Sequence, residues 1–358
     1  MTSVVGPGQA LCDSYDAAMF DLDGVIYLGP DPVPGAAEAV DGLRAHGLQV
    51  GFVTNNAARP PEVVSDQLTA IGVRATVDDV VTSAQAAARM LTEALPAGSK
   101  VLCLGTQALI DEVVGAGFTA VASRLDHPDA VIQGYDPQMT WPRVTDGVHA
   151  IQAGAQWFAS NLDITRPTDL GLEPGVGTQV DAVRACFPDR EPMVAGKPYP
   201  ALLLETKRRL GVQHPIFVGD RLDTDIRGAF NTHMDSLFVF TGAHGIRDLV
   251  EAARPERPTH IGYDARALLA PARRVTMKDS TARCGDQRVR LVAGRLELDD
   301  IPEDLSDQLD ALWAALQLLW RRSDEVTQDR ESLDRQALDQ STPDRQTWAQ
   351  LNDLDQLH

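Results

Sequence analysis

Two acidic segments carry the residues whose types and spacing suggest chemistry. Asp21 and Asp23 follow the apolar run Ala17–Phe20, and Gly24 marks a turn after them. A second segment, Gly219–Asp225 (G-D-R-L-D-T-D), follows another apolar run. Carboxylates held close together repel each other unless a cation lies between them. The pattern therefore predicts a site for a hard ion such as Mg²⁺ at the carboxyl ends of two buried strands.

Two further polar segments follow apolar runs or occupy turns. The run Phe52–Asn56 (F-V-T-N-N) ends in a hydroxyl and two amides, and Gly196-Lys197-Pro198 places a lysine in a tight turn. Each segment alone has an ordinary structural interpretation: Asp21-x-Asp23-Gly as a turn, Thr54 as a helix N-cap, Lys197 as a surface lysine. The chain has only four lysines among its 32 basic residues, which disfavours the surface interpretation of Lys197.

Together and in this order, the four segments resemble the motifs of the haloacid-dehalogenase-type phosphohydrolases. The resemblance covers roughly residues 14–270 and implies an α/β fold with a Rossmann-like core. Thr54 and Lys197 are 143 residues apart, which indicates a domain inserted between the second and third motifs. In this family such an insertion is an α/β C2 cap.

Within the family, the chain resembles the C2-capped subclass of p-nitrophenyl, phosphoglycolate, glycerol 3-phosphate and pyridoxal phosphate phosphatases. The segments that carry this closer resemblance are Thr82-Ser83-Ala84, Gly134-x-Asp136 with Thr140-Trp141, Phe158–Asp163 and Val218–Ile226.

The resemblance implies a role for each matching residue. Asp21 is the expected nucleophile and Asp23 the general acid and base. Mg²⁺ is expected to be bound by Asp21, the backbone carbonyl of Asp23, and Asp220. Asp225 is expected to hold the residues of this site in position without binding the ion itself. The remaining catalytic and phosphate-binding candidates are Thr54, Asn55, Asn56 and Lys197. Asp223 is either an exposed charge or part of the metal site.

The cap is expected to choose the substrate. Its predicted strands are 101–104, 130–132 and 157–159, with helices near 107–116 and 143–154. A long loop over 161–177 is expected to face the cleft, so Asn161, Asp163 and Arg166 are candidates for substrate binding. Arg166 either contacts a substrate carboxylate or pairs with Asp163 or Asp169.

Three interpretations of function follow. The first is a Mg²⁺-dependent phosphatase of a small phosphorylated metabolite, with glycerol 3-phosphate or 2-phosphoglycolate ahead of pyridoxal phosphate. The second is a phosphotransferase or mutase, which the position of the cap disfavours. The third is an inactive scaffold that binds a partner through its C-terminal tail, which the intact motifs disfavour.

The predicted organisation has a discontinuous catalytic core and two further parts. The core is expected over 14–82 and 190–272, the cap over 83–189, and a C-terminal extension over 275–358, with a flexible leader up to about residue 13. The core includes a predicted helix over 35–46, ended by Gly47.

The extension is predicted to be α+β and mostly helical. Strand-like alternation covers 287–293 and 296–298, and an apolar stripe predicts an amphipathic helix over 304–322, with one or two helices beyond. This order faintly resembles a truncated acetyltransferase. The sequence has no Gly-rich loop of the kind that binds a pyrophosphate, so acetyl-CoA binding is not predicted. The extension either packs on the protein's own core, forms a dimer contact or acts as a small regulatory module.

Composition limits the partners and the location. A net charge of −19 argues against nucleic acid and anionic membranes as partners. No apolar run approaches the ~20 residues that span a bilayer, and the four scattered cysteines are typical of a reducing compartment. The sequence thus predicts a cytoplasmic enzyme and is compatible with a homodimer.

Overall fold

The core sheet has six parallel strands, and the strand that carries the first motif lies inside it. The computed structural model describes residues 8–168, 170–332 and 351. Apolar runs without alternation form these strands because helices cover both faces of the sheet. In spatial order the strands are His260–Gly262, Asp235–Val239, Pro215–Gly219, Ala17–Phe20, Gln49–Thr54 and Val80–Thr82.

Helices cover both faces of the core sheet. The predicted helix near the N-terminus is confirmed over Ala36–Ala45, where Ala36, Ala39, Val40 and Leu43 are buried at helical spacing. Gly47 follows it with φ +84°, a conformation that favours glycine. The other helices associated with this sheet are Pro61–Ala70, Ser83–Ala94, Pro200–Leu210, Arg227–Asn231 and Ile246–Glu251.

The inserted segment forms a second parallel sheet of five strands. Its strands, in spatial order, are Met193–Val194, Gln156–Ala159, Ala130–Gln133, Lys100–Leu104 and Thr119–Val121, with helices Gln107–Gly115, Trp141–Gln152 and Val176–Arg184. The three predicted strands and two predicted helices are confirmed within about two residues. Because Met193–Val194 pairs with this sheet, the cap sheet continues beyond residue 189. The division into domains remains a prediction.

The prediction of one continuous loop over 161–177 is wrong. Thr165–Thr168 and Gly171–Pro174 pair as an antiparallel hairpin, and a helix begins at Val176. Gly171, the first residue of the second strand, has a φ of +115°, which favours glycine. The density of Gly and Pro indicated a loop, whereas these residues mark the turn and ends of two short strands.

The prediction of a flexible leader up to about residue 13 is wrong for the segment that begins at Leu11. Leu11–Ser14 forms a short 3₁₀ helix, with Leu11 and Cys12 buried in the core. The backbone N–H of Leu11 donates to the carbonyl of Ala270 at 2.8 Å. This segment is therefore part of the folded core, because its apolar side chains pack against residues near the end of the core.

The described part of the C-terminal extension contains four antiparallel strands and one long helix. The strands are Val275–Lys278, Thr281–Cys284, Gln287–Val292 and Arg295–Leu298, and the helix is Leu305–Ser332. The two predicted strands are confirmed. The sequence analysis missed the strands Val275–Lys278 and Thr281–Cys284 because they are short and largely polar. The further helices predicted beyond the long helix lie outside the described residues.

The long helix joins the extension to the catalytic core. Leu309, Leu312, Leu316 and Trp320 are buried in one hydrophobic cluster with side chains of both parts. The indole N–H of Trp320 donates to the carbonyl of Leu249 at 2.8 Å. The described part of the extension is therefore packed on the protein's own core, one of the three alternatives left by the sequence. Among the described residues, no helix combines the length and hydrophobicity that crossing a membrane requires.

Candidate active site

Asp21 and Asp23 lie where the central strand of the core sheet ends. The N–H of Asp21 still belongs to the sheet, since it donates to the carbonyl of Val218 at 2.9 Å. Asp23 lies beyond the strand, next to Gly24, whose φ is +85°. Burial raises the pKa of Asp23, an effect that the charges of Lys197, Arg59 and Arg166 oppose. The pair thus combines one rigidly held carboxylate with a second carboxyl on a turn.

Lys197 lies between two carboxylates at the floor of the site. Its Nζ is 2.8 Å from Oδ1 of Asp21 and 2.8 Å from Oδ1 of Asp225. The lysine side chain is 2% exposed and that of Asp225 is fully buried. Burial alone would lower the pKa of Lys197, but the Asp21 and Asp225 carboxylates raise it above its ordinary value. The lysine is therefore a fixed positive charge and not a surface residue.

The acidic cluster predicted from the sequence is present. Asp21, Asp220 and Asp225 each offer a carboxylate oxygen, and these oxygens lie within 4.8 Å of one another. Burial, followed by the charges of Asp225 and Asp21, raises the pKa of Asp220 to about 8. Burial and the charge of Asp21 raise the pKa of Asp225 to about 6, against the effect of Lys197. So much concentrated negative charge favours a bound cation.

Asp220 has one carboxylate oxygen available to such a cation. Its Oδ2 accepts a hydrogen bond from the N–H of Ala243 at 2.6 Å, whereas its Oδ1 is buried and has no hydrogen-bond partner among the described residues. A Cβ at position 242 would lie 2.0 Å from Oδ2, so Gly242 is what allows the chain to pass this carboxylate. An unpartnered buried oxygen is costly, and a Mg²⁺ ion would satisfy it.

Asp225 differs from Asp220 because both of its oxygens have partners. Oδ1 contacts Lys197, and Oδ2 accepts from the N–H of Arg221 at 3.1 Å. Its ordering role stays a prediction, and these contacts are the ones through which it would act. Asp223 instead pairs with the guanidinium of Arg221 at 2.8 Å and is about half exposed, as an ordinary surface charge would be.

The second motif lies beside this cluster. Thr54 is the last residue of its strand, and its Oγ1 accepts a hydrogen bond from the N–H of Asn56 at 3.0 Å. The next helix begins only at Pro61, so Thr54 is not a helix N-cap. Asn56 in turn accepts from the N–H of Ala58 at 2.9 Å, which closes a local turn.

Asn55 links the core, the lysine and the cap. Its Oδ1 accepts from the N–H of Lys197 at 2.8 Å, and its Nδ2 donates to Asp163 at 3.2 Å. The carbonyl of Asn55 accepts from Nδ2 of Asn161 at 2.6 Å. The sequence predicted that Asn55 contacts phosphate but not this use of its side chain, which the motif spacing alone does not reveal.

A cleft of about 800 Å³ lies between the core and the cap. The predicted site residues all reach it except Asp225, which is buried behind Lys197. Arg166 extends from the hairpin and pairs with Glu173 at 3.2 Å, not with Asp163. Its guanidinium lies 4.6 Å from the centre of the Tyr135 ring, while Asp169 lies outside the described residues.

The sequence analysis missed several residues that line the cleft. Arg59 is three residues beyond the second motif, Tyr27 belongs to the short strand Tyr27–Leu28, and Tyr135 and Arg221 come from loops. The position of Arg59 shortly after Thr54-Asn55-Asn56 is the one signal that could have placed it near the cleft. The tyrosines lie outside the four motifs, so only the folded chain brings them to the cleft.

Two family models match the chain, the first running from the core into the cap and the second beginning where the cap ends. The model described as haloacid dehalogenase-like hydrolase matches residues 18–119, and the one described as HAD-hydrolase-like matches residues 194–268. These ranges contain the four motifs on which the resemblance was based.

Named phosphatases are among the similar proteins. The chain is 43% identical over 260 residues to a D-glycerol 3-phosphate phosphatase of Mycobacterium tuberculosis, covering 73% of this chain and 72% of that protein. The crystal structure of a glycerol phosphate phosphatase of Mycobacterium tuberculosis in complex with magnesium matches with a TM-score of 0.75 and 35% identity, over 90% of this chain and 98% of the other. A p-nitrophenyl phosphatase from Archaeoglobus fulgidus matches with a TM-score of 0.66 and 25% identity, over 71% of this chain and 98% of the other. The first of these two structural matches is long enough to include part of the C-terminal extension.

Proposed function

Since the chain belongs to the haloacid dehalogenase-like hydrolases and is a phosphoric monoester hydrolase of that family, we propose that it hydrolyses glycerol 3-phosphate. The observation that carries the proposal is the fixed group of Asp21, Lys197 and Asp225 at the floor of a cleft between core and cap. The relative at 43% identity, a D-glycerol 3-phosphate phosphatase, supports the choice of substrate.

The proposed reaction has two displacements at phosphorus. A carboxylate oxygen of Asp21 attacks phosphorus, the phosphorus–ester oxygen bond breaks, and Asp23 donates a proton to the leaving alkoxide. Water then attacks the phosphorus of the aspartyl phosphate, and Asp23 takes the water's proton. Inorganic phosphate leaves and Asp21 is restored.

Other residues hold the phosphoryl group in place. Lys197 supplies a positive charge beside Asp21, which would otherwise repel the incoming phosphate dianion. Thr54 offers its hydroxyl at the end of the adjacent strand. Asn55 acts indirectly by fixing the backbone of Lys197, so it orients the charge that binds phosphate.

Mg²⁺ is the cofactor of this enzyme, as it is of phosphatases of this family. Asp21 and Asp220 would hold it together with the backbone carbonyl of Asp23. The buried and unpartnered Oδ1 of Asp220 supports this ligand set, as does the closeness of the three carboxylates. When bound, the ion supplies positive charge that neutralises the phosphoryl oxygens.

The charges on the cap side of the cleft, which we call the cap wall, support glycerol as the leaving group. Glu173 offsets the charge of Arg166, and Asp163 brings a further carboxylate to the same wall. Such a wall offers hydrogen bonds to hydroxyl groups but no net positive charge for the carboxylate of 2-phosphoglycolate. This argument puts glycerol 3-phosphate ahead of 2-phosphoglycolate.

Phosphate release from a panel of esters tests the proposal. Both enantiomers of glycerol 3-phosphate, 2-phosphoglycolate and pyridoxal phosphate would be compared, with Mg²⁺ and with EDTA. We expect the highest kcat/KM for a glycerol 3-phosphate enantiomer and no turnover in EDTA. A higher kcat/KM for 2-phosphoglycolate or pyridoxal phosphate would refute the substrate assignment while leaving the phosphatase activity intact.

A further inference from the structure

A second cluster of metal-ligating side chains lies outside the catalytic cleft. Cys12, Asp13 and His46 place a sulfur, an oxygen and a nitrogen within 4.8 Å of one another. Nδ1 of His46 is 3.3 Å from Oδ1 of Asp13, and Sγ of Cys12 is 4.0 Å from the same oxygen. Tetrahedral Zn²⁺, with bonds of about 2.3 Å to sulfur and about 2.0 Å to nitrogen or oxygen, separates its ligands by roughly 3.3–3.6 Å. The three donor atoms therefore need only small side-chain shifts to share one ion.

The backbone positions of the three residues are fixed by the fold. Leu11 donates to the carbonyl of Ala270 at 2.8 Å, and Asp13 donates to that of Ala10 at 3.1 Å. His46 ends the helix Ala36–Ala45, and its N–H donates to the carbonyl of Gly42 at 3.0 Å. Because both segments are anchored without a metal, little chain entropy is lost when an ion binds.

One residue of the cluster is buried, and the other two are partly exposed to solvent. Cys12 is completely buried, whereas the side chains of Asp13 and His46 are 36% and 45% exposed. An ion can therefore enter from solvent and keep a water molecule as its fourth ligand. The cluster precedes the strands Ala17–Phe20 and Gln49–Thr54, so it lies at the opposite edge of the core sheet from the catalytic carboxylates.

We propose that Cys12, Asp13 and His46 form a binding site for Zn²⁺ or a similar thiophilic divalent ion. The ion would join the segment before the catalytic strand to the end of the helix Ala36–Ala45. Burial, followed by the charge of Asp13, raises the pKa of Cys12 to about 11, so the thiol is protonated without a metal. When the sulfur–metal bond forms, that proton passes to solvent. The simpler alternative is an Asp13–His46 ion pair beside an inert thiol, which binds no metal.

Cobalt(II) distinguishes the two interpretations. A thiolate bound to Co²⁺ gives a sulfur-to-metal charge-transfer band, whereas the carboxylate cluster of the catalytic cleft has no sulfur ligand and gives none. Metal-free full-length protein, with Mg²⁺ restored, would be titrated with Co²⁺ and then with competing Zn²⁺. We expect a band that saturates at one equivalent and disappears on addition of Zn²⁺. Absence of the band from the wild type would overturn the proposal.

Variants assign the band to the three residues. Cys12→Ala should abolish it, and Cys186→Ser, which changes an exposed cysteine elsewhere, should leave it intact. His46→Ala and Asp13→Asn should each weaken Co²⁺ binding by more than about tenfold, with phosphatase activity at saturating Mg²⁺ unchanged. If both variants bind Co²⁺ as tightly as the wild type, the three-residue site is wrong. His46→Ala alone decides the matter if Cys12→Ala does not fold, because His46 is on the surface.

Discussion

Replacing Lys197 with methionine removes the cation between two buried carboxylates. The variant keeps a side chain of similar length. It leaves Asp21 and Asp225 without the contacts at 2.8 Å to Lys197 that now balance their negative charges. Breaking a buried ion pair by removing one partner costs about 3–5 kcal/mol. Since the lysine side chain is 2% exposed, solvent screens this pair little, and the full range applies. We expect the free energy of unfolding in EDTA to fall by about 3–5 kcal/mol.

Urea unfolding and turnover measure the two consequences. Lys278→Met is the matched control, because Lys278 is exposed on the extension and its loss should change stability by less than about 0.5 kcal/mol. Adding Asp225→Asn to Lys197→Met removes one uncompensated charge and should restore part of the stability. Turnover of Lys197→Met should fall by at least about 10²–10³-fold, because a charge aimed at the phosphoryl group is lost. If Lys197→Met and the wild type unfold at the same urea concentration in EDTA, the account of a charged, buried group is wrong.

Three further predictions concern the metal, the extension and pH. Asp220→Asn should raise the Mg²⁺ concentration for half-maximal activity by more than about tenfold, and an unchanged value would remove Asp220 from the ligand set. Leu316→Ala should lower the free energy of unfolding by about 2–5 kcal/mol, while the exposed Leu305→Ala in the same helix should have little effect in the same urea titration. Burial lowers the pKa of His260 below its ordinary value of about 6.5, so below that pH the unfolded chain binds a proton that the folded chain does not. Stability should therefore fall as pH drops below about 6.5, and less steeply for His260→Gln; equal slopes would contradict this assignment.

The core of the fold could be predicted from the sequence because its signals are local. A strand buried on both faces, such as Ala17–Phe20, is a continuous apolar run, and its polar successors Asp21 and Asp23 must lie at the sheet edge. The helix Ala36–Ala45 carries both a periodic apolar face and a glycine that ends it. Such features depend on few distant contacts, so single-sequence reasoning placed them within about two residues.

Features that depend on distant contacts could not be predicted. The burial of Leu11 and Cys12 requires a partner segment about 260 residues later in the chain, near Ala270. The partner of Arg166 stayed open between alternatives that did not include Glu173, because the pairing depends on the register of a hairpin, which opposes Arg166 to Glu173. The side-chain contacts of Asn55 with Lys197 and Asp163 likewise exist only once core and cap meet.

Trapping the phosphoryl-enzyme tests the central claim most directly. Wild-type protein would be quenched in acid during turnover of glycerol 3-phosphate with Mg²⁺, and its peptides would be analysed by mass spectrometry. We expect one phosphoryl group on Asp21 in the wild type and none in Asp21→Asn. A phosphoryl group on another residue, or turnover by Asp21→Asn at the wild-type rate, would contradict Asp21 as the nucleophile.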